Sequence, residues 1–191
     1  MTQVLSTDRT EIPKIITIFT YGKISIMEIY RQKCSWGKSP LWMNGLVVLL
    51  FAIPFILQDE QKPLEPWVAI TILTAFLALL FSGLFYCPRY IAITPDTLVI
   101  RRILASKVFP LSEIESAEPY QRTMNFTRTC GSGGFLGYWG WFHNQELKHF
   151  FVYATNLDQL VLVRLRSGRK YVISCTDAPS MATEIARQLR N

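Results

Sequence analysis

Two histidines and a glutamate, His143, Glu146 and His149, form the one grouping in the sequence with the spacing of metal ligands. Residues three apart share a helical face, but this segment follows a glycine-rich block and precedes a predicted strand, where we expect a loop. A structural zinc site needs four protein ligands, and the sequence offers no fourth. We therefore predict neither a metal site nor a bound cofactor.

The carboxylates give no indication of acid–base catalysis. They fall in turns or at predicted strand edges, and no serine or cysteine nucleophile is patterned beside a histidine. The four cysteines are scattered without a CxxC pair, which is typical of free thiols in a reducing compartment. The sequence therefore predicts a protein that is not an enzyme. The carboxylates considered are Asp96, Glu113, Glu115, Glu118 and Asp158.

A glycine-rich block, residues 131–142, is the strongest candidate for a binding role. Its five glycines interleave with five aromatic rings, but it contains no phosphate-binding GxxxxGK[ST] or GxGxxG pattern. One interpretation is a glycine-bulged strand whose rings fill the core. The other is that some rings project into the lipid headgroup zone or a partner groove, where Trp and Tyr are enriched. The rings are Phe135, Tyr138, Trp139, Trp141 and Phe142.

Two apolar runs, residues 41–57 and 66–87, contain no charged residue and are separated by a polar loop, residues 58–65. As helices they would be roughly 25 Å and 33 Å long, against about 30 Å for the hydrocarbon core of a bilayer. A helix packed on a soluble domain would show a charged stripe, and these runs show none. We predict a transmembrane hairpin, with a re-entrant first segment as the alternative.

The charges flanking these runs predict the orientation of the hairpin. The net charge of +6 divides into +3 before residue 41, −2 in the loop and +5 after residue 87. By the positive-inside rule, the protein is then a multi-pass protein of the inner (plasma) membrane with both termini in the cytoplasm. No basic run exceeds two residues, so we do not expect nucleic acid as a partner. The basic candidates for membrane or partner contact are Arg101, Arg102, Arg164, Arg166, Arg169 and Lys170.

After residue 87 the sequence predicts strands and then one helix. Turns are indicated at Pro95–Asp96 and at Ser167–Gly168. The closing helix would be capped by Asp177, with an apolar residue at every fourth position from Met181 to Leu189. The seven predicted strands are 90–94, 97–102, 107–111, 113–121, 150–156, 160–166 and 170–175.

The first forty residues allow two interpretations. The segments 15–19 and 23–30 are rich in β-branched residues and are split at Tyr21–Gly22, which favours a β-hairpin. The alternative is a helix lying on the membrane surface. Such a hairpin could dock on the edge of a sheet in its own chain or in a neighbouring copy.

The stretch from Tyr90 to Leu189 resembles the bacterial pleckstrin-homology-like (PH-like) domains. The resemblance is carried by the YIAIT-PDTLVIRR hairpin, the GSGGFLGYWGWF block and the LVLVRLRSGRKYVIS hairpin. It implies a seven-stranded antiparallel barrel or sandwich capped by a helix, with no established enzymatic activity and often with two membrane spans ahead of the domain. The basic signature by which eukaryotic relatives bind lipid in the first hairpin loop is not recognisable at Pro95–Asp96.

The sequence thus predicts an α+β membrane protein with a cytoplasmic segment 1–40, a transmembrane hairpin 41–87 and a cytoplasmic PH-like domain 88–191. Its expected partners are membrane lipids and an unidentified protein, and its expected function is to bind a protein partner or lipid headgroups. The alternative is a structural subunit of an oligomeric membrane assembly, such as a homo-oligomer. Small residues in one stripe would favour that alternative. They are Gly45, Ala52, Ala69, Ala75, Ala78, Ser82 and Gly83.

Overall fold

The computed structural model describes residues 28–58, 63–122 and 126–190, and these contain three α-helices, one short 3-10 helix (Leu111–Glu113) and ten strands. The predicted hairpin in the first forty residues lies outside the described residues, apart from residues 28–30. The helices are α1 (Lys38–Ile56), α2 (Pro66–Tyr86) and α3 (Ala178–Gln188). The strands are β1 (Tyr30–Lys33), β2 (Pro88–Ile93), β3 (Thr97–Arg102), β4 (Ser106–Pro110), β5 (Ile114–Tyr120), β6 (Thr127–Gly134), β7 (Gly137–Asn144), β8 (Lys148–Ala154), β9 (Leu160–Leu165) and β10 (Lys170–Ser174).

The two apolar runs form the helices α1 and α2, which lie next to each other in the sequence. Their mean hydropathy reaches 1.8 and 2.4, so both are long and apolar enough to cross a membrane by length and composition. Most of their side chains are exposed, and the buried exceptions are Pro40 in α1 and Gly83 in α2. Pro54 lies near the far end of α1, where its missing N–H removes one helical hydrogen bond.

The strands form two sheets, and the structure corrects two features of the predicted seven-stranded antiparallel barrel or sandwich, the number of strands and their all-antiparallel pairing. Nine of the described strands follow residue 87, and β8 pairs with β10 in parallel. The two strands beyond the predicted seven, β6 and β7, come from residues 127–144, which contain the block interpreted as one glycine-bulged strand. Its glycines interrupt the apolar alternation by which two separate strands would be recognised. One sheet has the order β1-β2-β3-β4, and the other has the order β5-β9-β10-β8-β7-β6.

The helical hairpin is inserted between two neighbouring strands of the first sheet. Strand β1 precedes α1 and pairs antiparallel with β2, which follows α2. Tyr30 lies opposite Ile93, and Lys33 lies opposite Tyr90. Residues on both sides of α1 and α2 therefore belong to one sheet.

Two apolar cores flank the six-stranded sheet. The first lies between the two sheets and α3, and includes Ile93, Val163 and Met181. The second lies on the opposite face of the six-stranded sheet, where Phe142 and Phe150 pack together. Strand β9 supplies side chains to both cores, which explains its nearly uninterrupted apolar sequence.

The predicted closing helix is confirmed as α3. Asp177 is the N-cap, and its Oδ1 accepts a hydrogen bond of 3.1 Å from the backbone N–H of Ser180. Met181 and Ile185 are buried against the first core, and α3 packs on β5 and β9. The capping residue and the apolar spacing of this segment therefore both agree with the helix and the buried face that the structure shows.

We predict that Cys130 alone among the four cysteines reacts in the folded protein. Cys34, Cys87 and Cys175 are buried, and burial raises the pKa of Cys34 and of Cys175 to about 12, so the reactive thiolate is suppressed. Cys130 is exposed on β6. Maleimide labelling of the full chain in detergent, followed by intact-mass measurement, should add one label. Cys130→Ser should abolish it, and two or more labels before denaturation would contradict the burial.

Candidate functional site

The turn between β6 and β7, Phe135–Leu136, lies between the ends of α1 and α2 that are nearest the sheets. The backbone N–H of Leu136 donates a hydrogen bond of 2.8 Å to Asn44 Oδ1 in α1. The hydroxyl of Tyr138 donates one of 2.9 Å to Ser39 Oγ in the first turn of the same helix. We call this turn the docking tip, because it fixes the β6–β7 hairpin to the helices.

A glycine in α2 makes room for the docking tip. A Cβ atom added to Gly83 would lie 2.6 Å from Leu136 Cδ1 and 3.0 Å from Leu136 Cβ, so the leucine occupies the space of a side chain. On the α1 side, a Cβ added to Gly134 would lie 3.2 Å from Met43 Cγ. The small residue at position 83 therefore receives the β6–β7 hairpin.

The shape of the β6–β7 hairpin depends on a pair of glycines that lie opposite each other. Gly131 and Gly140 are cross-strand partners, and a Cβ on either would collide with the backbone of the other strand. Both have positive φ, at 123° and 116°. The two strands therefore approach more closely here than side chains would allow, with a bulge between Arg128 and Cys130.

Three of the five rings of the glycine-rich block are buried, as expected for rings that fill the core, and one is exposed, as expected for a ring available for contact. Phe135, Tyr138 and Phe142 are buried, and the last two belong to the second core. Trp139 and Trp141 lie on the other face of β7, because alternate residues of a strand face opposite sides. Trp139 is half-buried, whereas Trp141 is 45 % exposed.

The segment between β1 and α1 is also hydrogen-bonded to the six-stranded sheet. The backbone N–H of Gly37 donates to the Thr155 carbonyl at 2.8 Å, and the Thr155 hydroxyl donates to the Ser35 carbonyl at 2.8 Å. The Cys34 thiol donates to the Ser174 carbonyl at 3.1 Å. The chain thus enters α1 already fastened to the ends of β8 and β10.

An arginine among aromatic rings occupies the place where α2 passes into β2. The Cζ atom of Arg102 lies 5.0 Å from the ring centroid of Phe85, 5.6 Å from that of Tyr153 and 5.7 Å from that of Tyr86. The Tyr86 ring stacks on Trp139 with centroids 4.7 Å apart. We call these five residues the junction cluster. Two of its nitrogens, Arg102 Nε and Trp139 Nε1, are buried and have no hydrogen-bond partner in the part of the chain that the structure describes.

A second half-buried cation, Lys107, lies near the junction cluster on β4. Its Nζ atom is 5.5 Å from the ring centroid of Phe109, a residue of the first core. Burial lowers the pKa of Lys107, and the positive charges of Arg102 and Arg169 lower it further, against the opposing effect of Glu113. This end of the first core therefore concentrates positive charge in a partly dry environment.

The predicted basic contact residues fall into two groups. Arg101 and Arg102 lie beside the helix ends, and Arg101 Nη1 donates a 3.1 Å hydrogen bond to Ser106 Oγ. The other group lies near the opposite end of β7, where Lys170 Nζ donates to the Leu147 carbonyl at 2.9 Å. The strand register places Lys170 about five residues, or roughly 17 Å, from the docking tip. This second group comprises Arg164, Arg166, Arg169 and Lys170.

The histidines predicted in a loop lie instead on two paired strands. His143 on β7 is opposite His149 on β8, and their ring centroids are 5.0 Å apart. Glu146 is in the exposed turn between them. Across residues 28–58, 63–122 and 126–190, no three His, Cys, Asp or Glu side chains are grouped so that they could hold a metal ion.

Several residues of this site escaped the sequence analysis. Gly83 was considered only for packing between helices, and Tyr86 and Lys107 carried no pattern that connects them. One signal was present, because Asn44 is a strongly polar residue within an otherwise apolar run. Its partner, the backbone of Leu136, lies 92 residues away in the sequence and could not be inferred.

Comparison with protein families gives one match. The family model described as Bacterial PH domain matches residues 89–189, which is more than half of the chain. No curated protein and no solved structure matches the chain. The matched region begins with β2 and ends just after α3, so it contains the docking tip and most of the junction cluster.

We predict that Gly83→Val destabilises the folded protein, whereas Gly45→Val does not. The valine at position 83 would collide with Leu136, and overpacking of this kind costs about 1–3 kcal/mol. Gly45 is the matched control, because a Cβ added there meets nothing within 4 Å. Thermal unfolding of the full chain in detergent measures the difference.

The double variant Gly83→Val/Leu136→Ala should recover part of the loss, since it removes the colliding side chain. Equal melting temperatures for the two valine variants would show that the docking tip does not depend on position 83.

Proposed function

Because the chain belongs to the bacterial PH domain family through residues 89–189, we propose that it is a non-enzymatic membrane protein that presents this domain as a binding module. In this proposal α1 and α2 span the inner membrane, both termini are cytoplasmic, and the ligand is a protein partner or a lipid headgroup. The observation that carries the proposal is the docking tip, because it fixes the domain at one height and in one orientation against the helix ends.

The exposure of the two helices supports a membrane location. Only 6 % of each 18-residue apolar window is buried within the chain, whereas the core helix of a soluble protein would be mostly covered. Lipid is the solvent in which such surfaces are stable. The charge on either side supports the orientation, since Lys38 and Arg89 flank the helix ends nearest the sheets and Glu65 precedes α2 at the other end.

The two groups of basic residues suit different ligands. Arg101 and Arg102 lie at the level of the helix ends, where phospholipid headgroups would be. Arg166 and Arg169 are exposed at the far side of the domain, roughly 17 Å or more along the strands from the docking tip. These distant cations favour an acidic surface on a cytoplasmic protein partner.

A structural subunit of an oligomeric assembly is the second candidate. It is favoured by α1, where a Cβ added to Gly45 meets nothing within 4 Å, so a neighbouring helix could approach closely there. The neighbouring residues Leu41, Trp42 and Leu49 are exposed and apolar. Light scattering in detergent should give one discrete oligomer if this candidate is correct, and Gly45→Leu should dissociate it.

We expect the full chain to leave membranes only with detergent. Cys130 should react with a membrane-impermeant maleimide in inverted vesicles and not in right-side-out vesicles, because the proposed topology places β6 in the cytoplasm. Cys130→Ser is the labelling control. A chain that is monodisperse in buffer without detergent, or labelled only in right-side-out vesicles, would contradict the proposal.

The binding role is tested with a photocrosslinking residue at Ser167, in the exposed turn between β9 and β10, in living cells. We expect a protein adduct that is severalfold weaker in the Arg166→Glu background, since charge reversal repels an acidic partner. The same crosslinker at Thr183, exposed on α3, is the control for random collisions. Equal adducts at both positions would argue against a specific partner at this end.

A further inference from the structure

Two cations lie on the face of the first sheet that is turned towards the six-stranded sheet, and we call the region between the sheets around their side chains the gap. Ile100 and Lys107 are opposite each other on β3 and β4, so their side chains share a face, and Arg102 is two residues beyond Ile100 on that face. Ile100 is fully buried in the first core, which identifies this face as the inner one. Tyr153 on β8 lies across the gap, 5.6 Å from Arg102 measured from ring centroid to Cζ.

Neither cation in this gap forms an ion pair with a described residue. The ion pairs among the described residues involve Arg31, Arg164 and Arg187, and Glu113 acts on Lys107 only from beyond contact distance. The Arg102 side chain makes no hydrogen bond to a described residue, and its Nε atom is buried. Half-buried like charges are unfavourable unless an anion neutralises them. The two cations thus offer an anion hydrogen-bond donors and a positive charge that the described carboxylates do not fully neutralise.

An exposed apolar turn lies beside the gap. Ile103 and Leu104, between β3 and β4, are each 44 % exposed. Arg102 contacts Phe85 in the last turn of α2, which places this turn next to the helix end. If α2 spans the membrane, Ile103 and Leu104 lie at the level where headgroups meet acyl chains, a position suited to exposed apolar side chains.

We propose that the gap between the sheets binds the phosphate of an anionic phospholipid of the cytoplasmic leaflet, with Arg102 and Lys107 as its cationic ligands. Ile103 and Leu104 would contact the acyl chains of the same lipid. The inference rests on the proposed function, because it needs α2 in the membrane. The site differs from the Pro95–Asp96 turn, which lies at the other end of β2 and β3.

The aromatic walls suit this ligand. A guanidinium that already faces the rings of Phe85, Tyr86 and Tyr153 is held in place, so less side-chain freedom is lost when it binds phosphate. The low local polarity strengthens each charge-assisted hydrogen bond. A phosphate that enters the gap would also relieve the repulsion between Arg102 and Lys107.

The test uses the full chain in a neutral detergent, titrated with dihexanoyl phosphatidylglycerol and followed by calorimetry. We expect saturable binding, and Arg102→Gln/Lys107→Gln should weaken it about tenfold or more, the loss expected for charge-assisted hydrogen bonds. The matched control is Arg122→Gln/Lys148→Gln, which removes the same charge from exposed positions and should change the affinity less than about twofold.

Two comparison ligands identify the source of the phosphate. Dihexanoyl phosphatidylcholine should bind more weakly than phosphatidylglycerol, and inorganic phosphate should bind weakly because it lacks acyl chains. Equal affinity for phosphatidylcholine, or inorganic phosphate binding as tightly as the lipid, would overturn the proposal. Equal losses in the two double variants would also overturn it, since they would indicate an effect of net charge alone.

Two further measurements distinguish an incorrect binding site from a misfolded variant and from an incorrect membrane topology. Arg102→Lys and Lys107→Gln are single, milder changes, and each should weaken binding less than the double variant at an unchanged melting temperature. Unchanged affinity in both would overturn the proposal. A chain that needs detergent but does not select phosphatidylglycerol refutes this site and leaves the proposed membrane location intact.

Discussion

The arrangement of this protein depends on one contact, the packing of Leu136 against Gly83 with the Leu136 N–H bonded to Asn44. The Leu136 side chain fills the space that a side chain at position 83 would occupy. The amide oxygen of Asn44, in an otherwise apolar helix, accepts its hydrogen bond from the backbone of the β6–β7 turn. The Tyr138–Ser39 hydrogen bond and the stacking of Tyr86 on Trp139 join the helices to the same sheet on either side of this contact. With it, the β6–β7 hairpin and both helices form one packed unit.

That contact also explains why the glycine-rich block has its unusual composition. Gly131 and Gly140 let two strands come close enough to form a narrow hairpin, and the narrow hairpin fits between two helices. The rings on one face of β7 fill the second core, while Trp139 on the other face stacks on Tyr86 at the end of α2. One face of β7 therefore packs in the second core, and its opposite face contacts the end of α2.

Features with local causes were predicted from the sequence, and features with distant causes were not. The Asp177 cap, the glycine turn at Gly168 and the two apolar helices depend on residues within a few positions of each other, and each is present. Residues 131–142 indicated one glycine-bulged strand, and the pair β6 and β7 could not be separated because glycines obscure their alternation. The cluster around Arg102 could not be predicted, because it unites residues from α2, β3, β7 and β8 that no sequence spacing connects.

The position of β1 has a consequence for the order in which the protein is made. Tyr30 leaves the ribosome before α1 and α2, yet its partner Ile93 emerges only after both. The first sheet can close on this edge only when the hairpin between its strands has reached its final place. Until then the backbone of β1 lacks its β2 partners, as an unpaired edge strand does. Pairing of this edge of the first sheet thus requires both helices to have been synthesised.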